Sequence, residues 1–343
     1  MLTPHIITGY RGESRIFLGE SLARLTTHIN HRPCLIVTDE EVYPLYQEQF
    51  PPECPVVVIG TGEAIKTLDT LNIIYQHCLD ADFDRAALLV AIGGGIVCDI
   101  AGFAASTYLR GIHFGFVPTT LLAQVDASVG GKNGVNFHGY KNLIGTFTQP
   151  EFVLIDVQVL TTLPPRALGC GIAEAIKHGA IADLALFEFM EQHVADIRQL
   201  QPGAIERIVH DSIVIKSSIV NQDEQEHGER RKLNFGHTFG HGIEKTLKLP
   251  HGEAVSLGMA VAAQLSQQRG YISENDVQRF LALLTAYDLP VTVDIEGTAL
   301  KTALRKDKKR YGDMLKFVLL TEIGQAIIED VSLEELEMVI NRW

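Results

Sequence analysis

Short apolar runs alternate with helically spaced stretches through the first half of the chain. Pro33–Thr38 (PCLIVT) and Pro55–Ile59 (PVVVI) read as strands. Ala86–Ile92 (AALLVAI) is an unbroken apolar run, the pattern of a strand covered on both faces in a parallel sheet. Ile112–Val117 and Phe152–Ile155 read as two further strands. Between these runs, Glu63–Leu79 and Ile96–Thr107 carry apolar residues at helical spacing. Such alternation predicts βαβ units around a parallel sheet. Past about residue 157 the pattern changes. Leu163-Pro164-Pro165 punctuates the chain, and helical spacing follows over 166–195, 203–221, 235–247, 252–269 and 274–287. The next β-rich run is Leu315–Leu320. The expected class is therefore α/β, with an N-terminal α/β domain over 1–157 and a mostly helical domain over 158–343.

Composition narrows the function. Of 343 residues, 46% are hydrophobic and 21% charged, ordinary for a globular protein and unlike a disordered, collagenous or coiled-coil chain. The formal net charge of −13 argues against a general nucleic-acid binder, which needs a basic surface. It leaves room for a small anionic substrate held by local lysines and arginines. The cysteines at 34, 54, 78, 98 and 170 are scattered and form no CxxC pair, so buried thiols are expected rather than a disulfide or thiolate-zinc framework. MLTPHIITGYRGESR has no signal-peptide apolar core, and the Ala86–Cys98 run is too short to span a bilayer. A cytoplasmic protein without membrane partners is expected.

Three features carry candidate chemistry. Gly93-Gly94-Gly95 follows a buried strand and opens a helix, a place where phosphate approaches backbone N–H groups. The turn at Thr61-Gly62-Glu63 and the pair Thr119-Thr120 also follow strands, and ligands of parallel sheets bind at that edge. In NFGHTFGH, His237 and His241 stand four apart on one helix face. With His251 in HGEAVSLGM they make a set suited to catalytic zinc, and spacing alone pairs His237 with His241. It leaves open whether Glu174 or His178, themselves four apart, completes the set. Finally, Arg110, Lys132, Lys141, Asn142, Lys177, Lys216, Arg230 and Asn234 lie among glycines, the company kept by phosphate- and carboxylate-binding cations. VDASVGGKNGVN (125–136) and GYKNLIG (139–145) read as loops.

Taken in order, these segments resemble the 3-dehydroquinate synthase family of the sugar phosphate cyclase superfamily. The matching stretches are GEAIK (62–66), GGGIVCDIAGFAAS (93–106), YLRG (108–111), VPTTLLAQVDASVGGKNGVN (117–136), KNLIGTF (141–147), LTTLPPR (160–166), GIAEAIKHG (171–179), RRKLNFGHTFGHGIE (230–244), HGEAVSLGM (251–259), DKK (307–309) and FVLLTEIG (317–324). The resemblance implies a Rossmann-like NAD-binding domain, a mostly helical metal- and substrate-binding domain, and a homodimer. It implies NAD and a divalent metal, zinc or cobalt, as cofactors. The implied lyase reaction converts an anionic sugar phosphate, 3-deoxy-D-arabino-heptulosonate 7-phosphate, to 3-dehydroquinate and phosphate in the shikimate pathway of aromatic amino acid biosynthesis. A cyclase acting on sedoheptulose 7-phosphate, of the valiolone synthase type, is the alternative.

Residue by residue, the resemblance assigns Glu174, His237 and His251 to the metal, which replaces the pairing read from spacing. Asp39, Gly62, Glu63, Lys66, Gly94, Gly95, Asp99, Thr119, Thr120, Leu122, Lys132, Lys141, Thr161, Thr162 and Leu163 fall on nucleotide positions. Lys177, His241, Asp126 and Lys132 fall on catalytic positions, and these four also touch substrate together with Asn142, Lys216, Glu226, Arg230, Asn234 and a lysine of DKK, Lys308 or Lys309. Arg110 falls on the position that reaches a neighbouring subunit's phosphate site. Three departures stand out: Cys98 where glycine is usual, Asn133 where threonine is common, and Ala167 where the family has a glutamate near the nucleotide.

Overall fold

The structure, a computed structural model, describes residues 4–9, 12–293, 310–311 and 314–340. The chain packs as two units: Met1–Leu163 with Lys216–Gln225, and Pro164–Ile215 with Glu226–Trp343.

The first unit is built on a seven-stranded sheet. Its strands are β1 (His5–Gly9), β2 (Gly12–Leu18), β3 (Cys34–Asp39), β4 (Val56–Ile59), β5 (Leu88–Gly93), β6 (His113–Pro118) and β9 (Phe152–Ile155). The spatial order is β1-β2-β9-β6-β5-β3-β4. All neighbours run parallel except β1, which pairs antiparallel with β2 at the edge. The central strand β5 is buried at every position, which accounts for its uninterrupted apolar sequence. Ile36, Val90, Ile92, Val117 and Leu154 form the centre of one apolar core. The parallel strands deliver Asp39, Gly60, Gly93 and Thr119 to the same carboxyl edge. The Leu68–Asp80 and Gly95–Thr107 helices follow β4 and β5.

One expectation needs correction here. The stretches read as loops form an antiparallel hairpin, β7 (Lys132–Phe137) with β8 (Tyr140–Phe147), preceded by a short π-helical turn at Ala123–Ala127. Glycine, lysine and asparagine dominate these stretches, yet a main-chain ladder needs no apolar side chains to close. The β1–β2 hairpin is also absent from the sequence reading.

In the second unit the helical spacing over 166–195 resolves into three helices, Pro165–Ala182, Leu184–Gln192 and Val194–Arg198. Asp183 makes the first break by capping the next helix, its carboxylate accepting from Ala185 and Leu186 N–H. Pro202–Gln222, His237–Leu247, His251–Gln268 and Glu274–Ala286 complete the main helices. A three-stranded antiparallel sheet, β10 (Arg310–Tyr311), β11 (Met314–Glu322) and β12 (Gln325–Ser332), follows, of which only the centre of β11 was expected. Phe187 stacks on Phe280, which also meets the Phe235 ring edge-on, in this unit's core. No described helix is long and apolar enough to cross a membrane.

Candidate active site

Lysine and arginine are almost never fully buried unless paired. Among the described residues, the buried ones are Lys66, Lys177, Lys216 and Arg230, and the sequence had already singled out all four.

In the first unit, Lys66 ends the turn after β4, where Gly62 adopts a φ of +77° that disfavours any other residue. Its ammonium is ion-paired with Asp99 on the Gly95–Thr107 helix and bonds Asn142 Oδ1 at 2.5 Å. Asn136 N–H donates to the Lys66 carbonyl, and Asn136 Nδ2 donates to Glu63 Oε1 at 2.7 Å. Lys141 Nζ lies 3.9 Å from the same Glu63 oxygen. Turn, helix and hairpin are thus tied together by polar contacts. Burial pushes the Asp99 carboxyl above the usual carboxylate range, and the Lys66 charge opposes that shift. Asp39, at the end of β3, accepts from Glu41 and Val42 N–H, and burial raises its carboxyl too.

The glycine turn forms a cradle. A Cβ on Gly95 would lie 2.9 Å from the Ala127 methyl, and one on Gly94 would lie 3.1 Å from Thr120. Thr119 N–H donates to the Gly93 carbonyl, while the buried Thr119 hydroxyl has no hydrogen-bond partner among the described residues. Thr120 Oγ1 caps Ala123 N–H beside the half-buried Leu122. Thr162 meets the Tyr46 hydroxyl, and Thr161 and Leu163 flank it. The small, amide-lined turn at the start of a helix and this buried, unused hydroxyl fit a dinucleotide. Lys216 is ion-paired with the Asp126 carboxylate and donates to the Asp126 carbonyl at 2.5 Å. Lys132 and Asn142 are exposed on the hairpin. At the 108–111 turn, Leu109 and Arg110 are exposed and hold φ of +49° and +69°, strained values for non-glycine residues.

In the second unit three helices converge on one carboxylate. Glu174 and Lys177 stand on the Pro165–Ala182 helix, and His237 and His251 open the His237–Leu247 and His251–Gln268 helices. Glu174 Oε1 lies 3.3 Å from His251 Nε2 and 3.7 Å from His237 Nε2. The other oxygen, Oε2, is ion-paired with Lys177. One donor atom from each of Glu174, His237 and His251 lies within 4.8 Å of the others, a set of two imidazoles and a carboxylate that suits zinc or cobalt. The His241 ring is 5.4 Å from His237 and exposed, beside this group but outside it. Burial and the Lys177 charge hold the His237 imidazole well below its ordinary value and so neutral, the form that binds metal. His237 Nδ1 faces the Phe235 carbonyl at 3.1 Å, leaving Nε2 on the side of Glu174.

Close helix packing makes this convergence possible. A Cβ on Gly258 would lie 1.8 Å from the Gly236 carbonyl, and one on Gly252 would lie 2.3 Å from Cys170 Cα. Nearby, Asn234 Nδ2 donates to Glu226 Oε1 at 2.5 Å, and Arg230 is wholly buried. Lys308 and Lys309 lie outside the described residues. Glu244, whose Oε2 is 3.9 Å from His251 Nδ1, is a contact that the sequence reading missed. Its seven-residue spacing from His237 was the available signal.

Family models match most of the chain. Residues 56–170 match the 3-dehydroquinate synthase N-terminal model and residues 171–310 the C-terminal one. A curated 3-dehydroquinate synthase from Halorhodospira halophila is 42% identical over 91% of this chain and 91% of its own. Among solved structures, a 2-deoxy-scyllo-inosose synthase complexed with carbaglucose-6-phosphate, NAD+ and Co2+ superposes with a TM-score of 0.89 at 27% identity, covering 99% of this chain and 100% of that one. A 2-epi-5-epi-valiolone synthase from Streptomyces hygroscopicus with NAD+ and Zn2+ bound has a TM-score of 0.89 at 29% identity, covering 98% of each chain.

Proposed function

The chain belongs to the 3-dehydroquinate synthase family, and from that membership we infer that it converts 3-deoxy-D-arabino-heptulosonate 7-phosphate to 3-dehydroquinate and phosphate. The reaction is a phosphate-eliminating lyase reaction: transient oxidation, elimination, re-reduction and intramolecular aldol closure. The observation that carries this reading is the Glu174–His237–His251 cluster with Lys177 paired to its carboxylate. Glu174, His237 and His251 would hold zinc or cobalt, and the carboxyl edge of the first unit, with Asp39, Glu63, Lys66, Asp99 and the glycine cradle, would hold NAD. When bound, the metal polarises the substrate oxygen and the nicotinamide supplies hydride transfer.

The chain's own residues do the rest. Lys177 Nζ stands beside the cluster as a donor for oxygen that gains negative charge. His241, exposed beside two histidine rings, is assigned to proton exchange. Lys132 and Asn142 in the first unit, and Asn234 in the second, are assigned to the anionic substrate, as is the Asp126–Lys216 pair. The strained, exposed Arg110 turn is assigned to a partner's phosphate site, so a cytoplasmic homodimer is part of this proposal.

Phosphate release from the heptulosonate phosphate tests the reading. Release that requires NAD+ and divalent metal, without NADH accumulation, is expected. Steady NADH accumulation, or no release, would refute it. The alternative, cyclisation of sedoheptulose 7-phosphate, draws on the 29% likeness to the valiolone synthase. Its substrate lacks the carboxylate to which Arg230, with Glu226 close by in sequence, is assigned. Arg230→Lys should therefore lose activity on the heptulosonate phosphate, because lysine cannot make a forked contact to a planar carboxylate. Undiminished activity would remove that assignment.

A further inference from the structure

His237 and His251 present the same nitrogen, Nε2, to Glu174, but their far sides are held differently. The His237 Nδ1 faces a backbone carbonyl, that of Phe235, at 3.1 Å. The His251 Nδ1 faces a side chain, the carboxylate of Glu244, at 3.9 Å. Glu244 stands on the His237–Leu247 helix three residues from His241 and seven from His237: the three occupy positions i, i+4 and i+7, which share one face. Only 14% of the Glu244 side chain is exposed, an unusual place for a glutamate without a task.

We propose that Glu244 is a positioning residue for His251. Its carboxylate accepts from the Nδ1–H, selects the tautomer with a free Nε2 lone pair, and holds the ring edge toward Glu174. This inference rests on the metal-centre reading above and adds a residue to it. The present separation is an ion-pair distance, and closing it to a hydrogen bond requires about 1 Å of movement from a three-torsion side chain. Carboxylates behind ligating histidines orient the ring and raise its basicity, and their loss weakens metal binding about 10–100-fold. The arrangement also links two helices: the first metal histidine and the carboxylate that orients the second share the His237–Leu247 helix. A shift of that helix would disturb both ligands together.

The test compares metal-free wild-type protein, Glu244→Ala and Glu244→Gln. Each is titrated with Zn2+ against a chromophoric chelator and with Co2+ read by its visible absorption, with thermal melts reporting the fold. Glu244→Ala should bind Zn2+ about 10–100-fold more weakly and show an altered Co2+ spectrum, with Glu244→Gln intermediate. In a His251→Ala background, Glu244→Ala should cost no further affinity. The proposal is overturned if Glu244→Ala, or Glu244→Gln should the alanine variant not fold, binds both ions as wild type does. An additive loss in the His251→Ala background overturns it as well. Wild-type protein that binds neither ion would instead refute the metal-centre reading on which it rests.

Discussion

Lys177 lies one turn beyond Glu174 on the same helix and is ion-paired with it, with both side chains buried. The ammonium neutralises a carboxylate that also faces two imidazoles, so in metal-free protein Lys177 takes the place of a cation. Lys177→Met leaves that carboxylate buried without its nearest charge, which is costly. A metal ion restores the balance. Zinc should therefore raise the melting temperature of Lys177→Met by more than it raises that of the wild type, while turnover falls about 10²–10³-fold through the lost donor. Equal zinc-induced shifts in calorimetry would show that Lys177 does not offset the Glu174 charge.

Gly258 sets how closely the two histidine-bearing helices approach. An added methyl would collide with the Gly236 carbonyl, one residue before His237. Gly258→Ala should cost about 1–3 kcal/mol and weaken zinc uptake, because His237 moves with the displaced backbone. Gly203 is the control: it begins a helix with open space around it, and Gly203→Ala should be neutral or stabilise by up to about 1 kcal/mol. Urea unfolding of both variants, with zinc titration, distinguishes a packing effect from a general intolerance of alanine.

Lys66 holds Asp99 and Asn142 together in the first unit, with 5% of its side chain exposed. Lys66→Met strands the Asp99 carboxylate, and the loss should sit near the lower end of about 3–5 kcal/mol because Asp99 keeps partial solvent access. Adding Asp99→Asn should recover much of it. A double variant whose loss is the sum of the two singles would show that the pair is not coupled. Fluorescence titration with NAD+ should show weakened binding in both single variants.

His237 and His251 predict a pH effect in metal-free protein. Burial alone would lower the His251 imidazole, but the Glu174 and Glu244 carboxylates facing its two ring nitrogens outweigh it and lift the group to about 9 from 6.5. A folded value above the unfolded one means stability that is fully present below pH 6.5 and is lost as pH rises through 9. His237 runs the other way: its lowered value makes protonation costly as pH falls below 6.5. Unfolding free energy should therefore decline from pH 6.5 to 9 with a slope approaching about 1.4 kcal/mol per pH unit, and His251→Gln should flatten it. An identical slope in that variant would assign the effect to other groups.

Much of the first unit was legible in the sequence because its signals are local. The apolar run at Ala86–Ile92 marks β5, and the strand from Phe152 to Ile155 is found at those same residues. The glycine turn after β5 is visible for the same reason: backbone approach to a ligand needs small residues wherever the chain is traced. The 132–147 hairpin was hidden, since its strands are polar and glycine-rich and their pairing is a main-chain property.

The Glu174–His237–His251 cluster shows the limit most clearly. Helical periodicity relates residues on one helix, so by itself it pairs His237 with His241. The cluster found here joins Glu174, His237 and His251 from three helices. It depends on how closely those helices pack, which Gly252 and Gly258 permit but which no spacing rule expresses. Matching motifs to a known family pointed to the same three residues without explaining them. The Lys66–Asp99–Asn142 bridge and the Glu244–His251 contact are likewise decided by packing. Local order along the chain determined the elements and the residue types available for chemistry. Tertiary structure decided which of them share a charge, because burial and close approach exist only once the elements are packed.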